Sequence, residues 1–154
     1  MADRHIAVLV ETSHASARET LRGLLGFIHE HGLRWHLDHE PRRLENGPPE
    51  WLRRWRGDGI IARSHCPKSM AAVVGSGVPA VELLGVARHP TVPLVQVDER
   101  AVGRLAVEHL LACGLRSFAF VGVKGMYWSD NRRAAFRAAL EEAGHTCREF
   151  EFPR

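Results

Sequence analysis

Pro93-Leu-Val-Gln-Val-Asp-Glu-Arg-Ala-Val-Gly-Arg-Leu-Ala-Val-Glu-His-Leu110, followed after Gly114 by Ser117-Phe-Ala-Phe-Val-Gly122, sets out a strand, a helix and a second strand with short connections. The apolar run 93–97 reads as a buried strand that ends at Asp98, a good helix N-cap. Val102, Leu105, Ala106, Leu110 and Cys113 then recur at helical spacing, giving one expected apolar face before Gly114 stops the helix. After Ser117–Gly122 comes a loop, Val123 to Trp128, and then a helix with Phe136, Ala139, Leu140 and Ala143 on one face, stopped by Gly144. Residues Thr146 to Phe152 read as one more strand. Repeated βα units with short links predict a mostly parallel sheet covered by helices.

Working back toward the N-terminus, the same alternation continues. His5-Ile-Ala-Val-Leu-Val10 is nearly all apolar, as expected of a parallel strand buried on both faces. Ser16 and Glu19 have the spacing of a capping box, ahead of a helix with Ala17, Leu21, Leu24, Leu25 and Ile28 inward and Gly32 at its end. A second strand is expected at Leu33 to Asp38. The Pro- and Gly-containing segment Glu40 to Glu50 interrupts regular structure, and a short helix with Trp51, Leu52 and Trp55 follows. Gly57-Asp-Gly-Ile-Ile-Ala62 is a third strand, a small helix runs to about Val74, and a fourth strand covers Val78 to Leu84 before a loop, Gly85 to Thr91. The expected fold class is therefore α/β, a three-layer doubly wound, mostly parallel sheet.

Composition narrows the function. The 154 residues suffice for a sizeable core, since a chain of roughly 150 residues buries about 70% of its unfolded surface. With 21 basic and 18 acidic residues the formal charge is +3, too small and too dispersed for a nucleic-acid footprint. No apolar run reaches the roughly 20 residues of a membrane span, and Met1-Ala-Asp-Arg-His5 lacks a signal peptide's apolar core, so a cytoplasmic location is expected. Cys66, Cys113 and Cys147 form no CxxC pair and read as reduced thiols. His36 and His39 fall on opposite faces of a strand, and His29 and His31 close a helix, so no metal site is expected. Gly75-Ser-Gly-Val-Pro-Ala80 lacks the third glycine and the following helix of a dinucleotide fingerprint, and no G-x-S-x-G elbow exists. Neither a cofactor nor a catalytic set is expected, and the sequence does not read as that of an enzyme.

Ligands of open parallel sheets sit beyond the carboxyl ends of the strands. There the sequence places Glu11 to Ser16, Arg63 to Cys66, Leu84 to Arg88, Asp98, and Val123 to Arg132. Arg132, read as lying on the first turn of its helix, offers a planar fork of donors but opposes the helix dipole. Spacing alone leaves two readings of it open: a ligand contact, or a solvated arginine or structural pair with a loop carboxylate. Trp128 fits either a ring laid against a sugar's C–H face or a loop anchor.

Several of these segments, in this order, resemble the effector-binding domain of the LacI/GalR group of bacterial regulators. Gly57-Asp-Gly-Ile-Ile-Ala62 is similar to that group's DGIIA strand, and Val78-Pro-Ala-Val81 to its IPVV strand. Val97–Leu110 is similar to its V-DN-G-A-HL helix, Gly114–Gly122 to its GH-R-IA-I-G strand, and Arg132-Arg-Ala-Ala-Phe136 to its R-x-x-G-F. Within the group the likeness is strongest to the xylose-responsive regulators, which carry an AraC-type DNA-binding domain at the C-terminus. The resemblance implies a type I periplasmic-binding-protein-like fold. It also implies that residues 1–154 make a single N-terminal lobe, with the second lobe and the DNA-binding domain absent. It further implies a sugar effector, D-xylose or another pentose, bound in an interlobe cleft to modulate operator binding. DNA contact would come through the missing domain, and a homodimer through the 68–74 helix and the neighbouring strand edge. Ligand contacts are expected from Ser13, His14, Arg63, Ser64, Trp128 and Arg132. Two departures stand out: the group's Gly before the aromatic is Ala135, and its DN pair is Asp98-Glu99. The rival readings are a small flavodoxin-like enzyme or phosphoacceptor module, for which Glu11 offers only one carboxylate and no matching lysine follows Val97, and a periplasmic sugar-binding protein.

Overall fold

A computed structural model describes residues 3–40, 47–83 and 85–153. Residues 41–46 of the expected irregular segment, and Leu84 at the expected end of the fourth strand, lie outside them. The chain forms two compact units, Met1–Gln96 and Val97–Arg154.

In the first unit, β1 (Arg4–Leu9), α1 (Ala15–Glu30), β2 (Trp35–His39), a 3-10 turn (Glu50–Arg54), β3 (Gly59–Ala62), α2 (Pro67–Gly75) and β4 (Ala80–Glu82) follow one another. They build a four-stranded parallel sheet in the order β2-β1-β3-β4. The period-2 alternation of β1 sends its side chains to two different cores. Ile6, Val8 and Val10 pack with Ala17, Leu21 and Leu24 of α1, whereas Ala7 packs with Leu52, Ile60, Ala62 and Val73 on the other face. Helical layers on both faces make this the expected doubly wound arrangement.

The capping box does not form. Helix α1 starts at Ala15, with His14 in the N-cap position making no side-chain cap bond. Ser16 lies inside the first turn, where its carbonyl accepts the Thr20 hydroxyl, and Glu19 pairs with Arg22. The carbonyl of His14 already accepts the Arg18 amide, so the helix begins before Ser16 can cap it.

Residues 93–97 do not form the expected strand. Among the described residues the chain touches β4 through a single bridge, Glu82 to Leu94, made by the Glu82 amide on the Pro93 carbonyl and the Val95 amide on the Glu82 carbonyl. Pro93 has no N–H to extend a ladder, and Val95 and Val97 stay exposed. The strands therefore lie in two sheets rather than one.

The second unit runs α3 (Glu99–Ala112), β5 (Phe118–Val123), α4 (Tyr127–Glu142) and β6 (Cys147–Phe152), with β5 and β6 paired in parallel from Phe118↔Cys147 to Val123↔Phe152. Asp98 caps α3 as expected, its carboxylate accepting the amides of Arg100 and Ala101. Gly114 and Gly144 end the two helices at φ 79° and 75°, the left-handed conformation that glycine adopts without a Cβ penalty. Phe136, Ala139 and Leu140 are buried as expected, whereas Ala143, at the C-cap of α4, is exposed.

The buried stripe of α3 is displaced from the expected one. Val107 is buried with Ala106, Leu110 and Leu111 packed beside it, while Val102 and Leu105 are exposed. Gly103 decides this orientation. A Cβ there would stand 2.6 Å from the backbone carbon of Ala135 and 2.7 Å from its oxygen, so the two helices meet backbone to backbone at these small residues.

Candidate functional site

The carboxyl ends of β1, β3 and β4 carry a connected set of polar groups. Leu9 lies opposite Ala62 in the β1–β3 register, so the residues just beyond these strands, Glu11 and Arg63 to His65, are neighbours. The Arg63 amide donates to the Leu9 carbonyl at 3.0 Å, extending the ladder to the strand ends. Arg63 Nη1 then donates to Glu11 Oε1 at 2.6 Å, and His65 Nε2 to Glu11 Oε2 at 3.1 Å. The Glu11 side chain is 3% exposed and that of Arg63 18%, so the pair is largely shielded from water. Burial pushes the Glu11 carboxyl up. The His65 hydrogen bond, the charges of Arg63 and His65 and a backbone amide together outweigh it, and hold the group below its ordinary value.

Next to this pair, the Ser64 amide donates to both oxygens of Glu82, at 2.9 and 3.1 Å, and the Gly85 amide donates to the same carboxylate at 3.4 Å. Glu82 is 1% exposed and anchors the loop after β3 from beneath. A cavity is lined here by Glu11, Arg63, Ser64 and His65 together with apolar residues that include Leu9 and Val73. Polar groups converging beside an apolar wall are the usual makeup of a small-molecule site.

Of the expected contacts in this unit, Arg63 and Ser64 line the cavity. Ser13 and His14 lie on the exposed turn before α1 and do not line it. Sequence reasoning placed Glu11 and His65 in the strand-end loops without choosing either as a ligand contact, and it gave Glu82 no role. The available signal was three ionisable side chains at strand ends, but their meeting depends on which strands pair.

The second unit holds a separate cluster. Helix α4 starts at Tyr127, because the carbonyl of Met126 accepts the amides of Ser129 and Asp130 at 2.9 and 3.0 Å. Trp128 is therefore on the first turn rather than in a loop, and Arg132 is on the second turn rather than the first. One helical turn apart, they stack, with the Arg132 guanidinium carbon 5.4 Å from the Trp128 ring centre. Arg132 Nε donates to Glu99 Oε2 at 3.1 Å, so the arginine makes a structural pair, with a carboxylate on the first residue of α3 rather than in a loop. The Arg132 side chain remains 45% exposed, half in water and carrying donors beyond Nε.

A sequence profile of the periplasmic binding protein-like domain matches residues 107–154. A solved xylose-binding transcription activator superposes with a TM-score of 0.78 at 24% identity, covering 98% of this chain and 39% of that one. A periplasmic ribose ABC transporter structure from Conexibacter woesei superposes at 0.75 with 16% identity, covering 99% of this chain and 54% of that one. The chain has the periplasmic-binding-protein-like fold.

This periplasmic-binding-protein-like chain is also similar in sequence to the xylose operon regulatory proteins of Haemophilus influenzae and Escherichia coli K12. The identities are 26% over 144 residues and 27% over 150, covering 89% and 90% of the chain. It spans 37% of the length of each of these relatives. Among the described residues no helix is long and apolar enough to cross a membrane.

Proposed function

We propose that this chain is the sugar-sensing part of a transcription regulator. The observation that carries the reading is the convergence of Glu11, Arg63, Ser64 and His65 on a partly apolar cavity at the carboxyl ends of parallel strands, in a periplasmic-binding-protein-like fold. Hydroxyl-rich ligands need closely spaced donors and acceptors with an apolar wall for their C–H faces, and this cavity offers both. The Trp128–Arg132 pair carries the same combination, a ring face beside a fork of donors.

D-xylose is the effector of first choice, because the relatives from Haemophilus influenzae and Escherichia coli are named for the xylose operon. The chain belongs to the N-terminal part of the effector domain. DNA contact resides in the portion of the longer relatives that it does not span, and two copies pair through α2 and the edge at β4. Sugar binding shifts the regulator between arrangements by its differential affinity for them. The role is cytoplasmic and non-enzymatic. A phosphoacceptor role is less well supported, since Glu11 is already engaged by Arg63 and His65.

A thermal-shift and calorimetric titration of the protein with D-xylose, L-arabinose and D-ribose tests the reading. The expected result is a weak response, strongest for D-xylose and reduced by Arg63→Ala. Absence of any response to the three pentoses at high concentration would remove the sensor reading, and an undiminished response in Arg63→Ala would remove the cavity as its site.

A further inference from the structure

We propose that Glu11 is a positioning residue that makes the cavity of the first unit selective for uncharged, hydroxylated ligands over phosphorylated or carboxylated ones. This inference rests on the sugar-sensing reading and concerns which sugars the site accepts.

Charge comes first. Among the described residues that line the cavity, Arg63 carries the guanidinium and Glu11 the carboxylate, in contact at 2.6 Å and shielded from water. An anionic ligand reaching Arg63 would compete with a carboxylate already in place and would meet its repulsion at short range, where water screens little. A neutral hydroxyl meets no such opposition, and it needs only the guanidinium N–H groups that Glu11 leaves over. Those are available, because a guanidinium carries five donors and the Nη1 bond to Glu11 takes one of them.

Hydrogen-bond direction points the same way. Glu11 is held in its ionised form and can only accept, so His65 Nε2 must carry the hydrogen that it donates at 3.1 Å. Glu11 thereby orients two donor side chains, Arg63 and His65, beside one cavity that Ser64, whose hydroxyl can accept, also lines. A hydroxyl both donates and accepts and can satisfy donors and acceptor together, whereas a phosphate or carboxylate oxygen only accepts. The same carboxylate thus sets the site's charge balance and its donor–acceptor pattern. Glu11 does this by holding Arg63 through one oxygen and His65 through the other.

The test is an NMR titration of the 154-residue protein and of Glu11→Gln with D-xylose and, separately, D-xylose 5-phosphate. Glutamine keeps an oxygen acceptor for His65 but removes the counter-charge. D-xylose should shift the Ser64 and His65 amide signals of the native protein, and the phosphate should leave them unmoved at equal concentration. In Glu11→Gln the preference should swing toward the phosphate by on the order of a hundredfold in the ratio of affinities, as expected when a counter-charge in direct contact is lost. A role limited to stability would weaken both sugars together and leave the ratio unchanged, which would overturn the proposal. Equal response of the native protein to both sugars would also overturn it while leaving sugar sensing intact. Silence toward both sugars at every residue would instead remove the sensor reading beneath it. If Glu11→Gln does not fold, Glu11→Asp, which keeps the charge on a shorter arm, should bind D-xylose more weakly and still reject the phosphate. Preference for the phosphate in that variant would overturn the proposal.

Discussion

The two units bury their polar chemistry to different depths. In the first, Glu11 and Glu82 lie almost wholly out of water and every oxygen of both carboxylates has a donor. In the second, Arg132 keeps 45% of its side chain in solvent and meets Glu99 and Trp128 at the surface. The sheets differ in the same sense. Strand β1 is covered on both faces by separate cores, whereas α3 and α4 pack against the Phe118, Phe120 and Cys147 face of β5–β6, and Val121, Phe150 and Phe152 on the opposite face are exposed. A buried, hydrogen-bonded carboxylate organises the backbone around it, because its loss leaves donors that cannot find water. A surface ion pair has water as a ready substitute.

The largest effect that this contrast predicts is at Glu82. Glu82→Ala should strand the Ser64 and Gly85 amides and lower unfolding free energy by about 3 kcal/mol in urea denaturation. A loss below about 1 kcal/mol would mean that water reaches the loop and that the first unit is no drier than the second.

Next in size is Gly103→Ala in the second unit. The added methyl meets the Ala135 backbone, and since backbone cannot swing aside, α3 and α4 must separate at a cost of about 2 kcal/mol. Thermal melting followed by circular dichroism checks it. A neutral outcome would show that the crossing is slack and that the stripe read from Val102 and Leu105 serves as well as the observed one.

A smaller effect concerns pH. Because the folded Glu11 pKa lies below its ordinary value of 4.5, the unfolded state binds this proton more readily. The stabilisation from the pair is then complete above the ordinary value and fades as pH falls through the lower folded one. The stability gap between the native protein and Glu11→Gln should therefore shrink steadily on going from roughly pH 7 to pH 3. A gap that widens with acid would reverse the sign and remove the Glu11 contacts with Arg63 and His65 as the cause.

Smallest of all is Glu99→Gln, expected to change stability by less than about 1 kcal/mol, and by less still in high salt, since the Arg132 partner is half solvated. A loss matching that of Glu82→Ala would erase the distinction between the two clusters.

The sequence by itself determined the alternation of strands and helices, since the relevant physics is local. Asp98 caps α3 because a short carboxylate reaches the next two or three amides, and Gly114 and Gly144 stop their helices because they lack a Cβ. The nearly continuous apolar run of β1 implies burial on both faces, and the spacing in α4 marks one apolar side; Ile6, Ala7 and Val8 are buried, as are Phe136, Ala139 and Leu140, with Ala143 at the helix end exposed. Arg63 and Ser64 were legible as cavity residues for a related reason, as strand ends are visible in the sequence and ligands gather there.

Tertiary structure alone decided the rest. Gly103 against Ala135 selected which of two apolar stripes on α3 faces inward, a choice that helical periodicity leaves open. A single bridge at Leu94, in place of a full strand, divided the strands between two sheets. Glu11, Arg63 and His65 became one cluster only through the β1–β3 register, which brings residues 52 and 54 positions apart within hydrogen-bond reach. Short-range patterns say what each segment can form. Which charged side chains neutralise one another depends on strand neighbours, and those are chosen by packing over the whole unit.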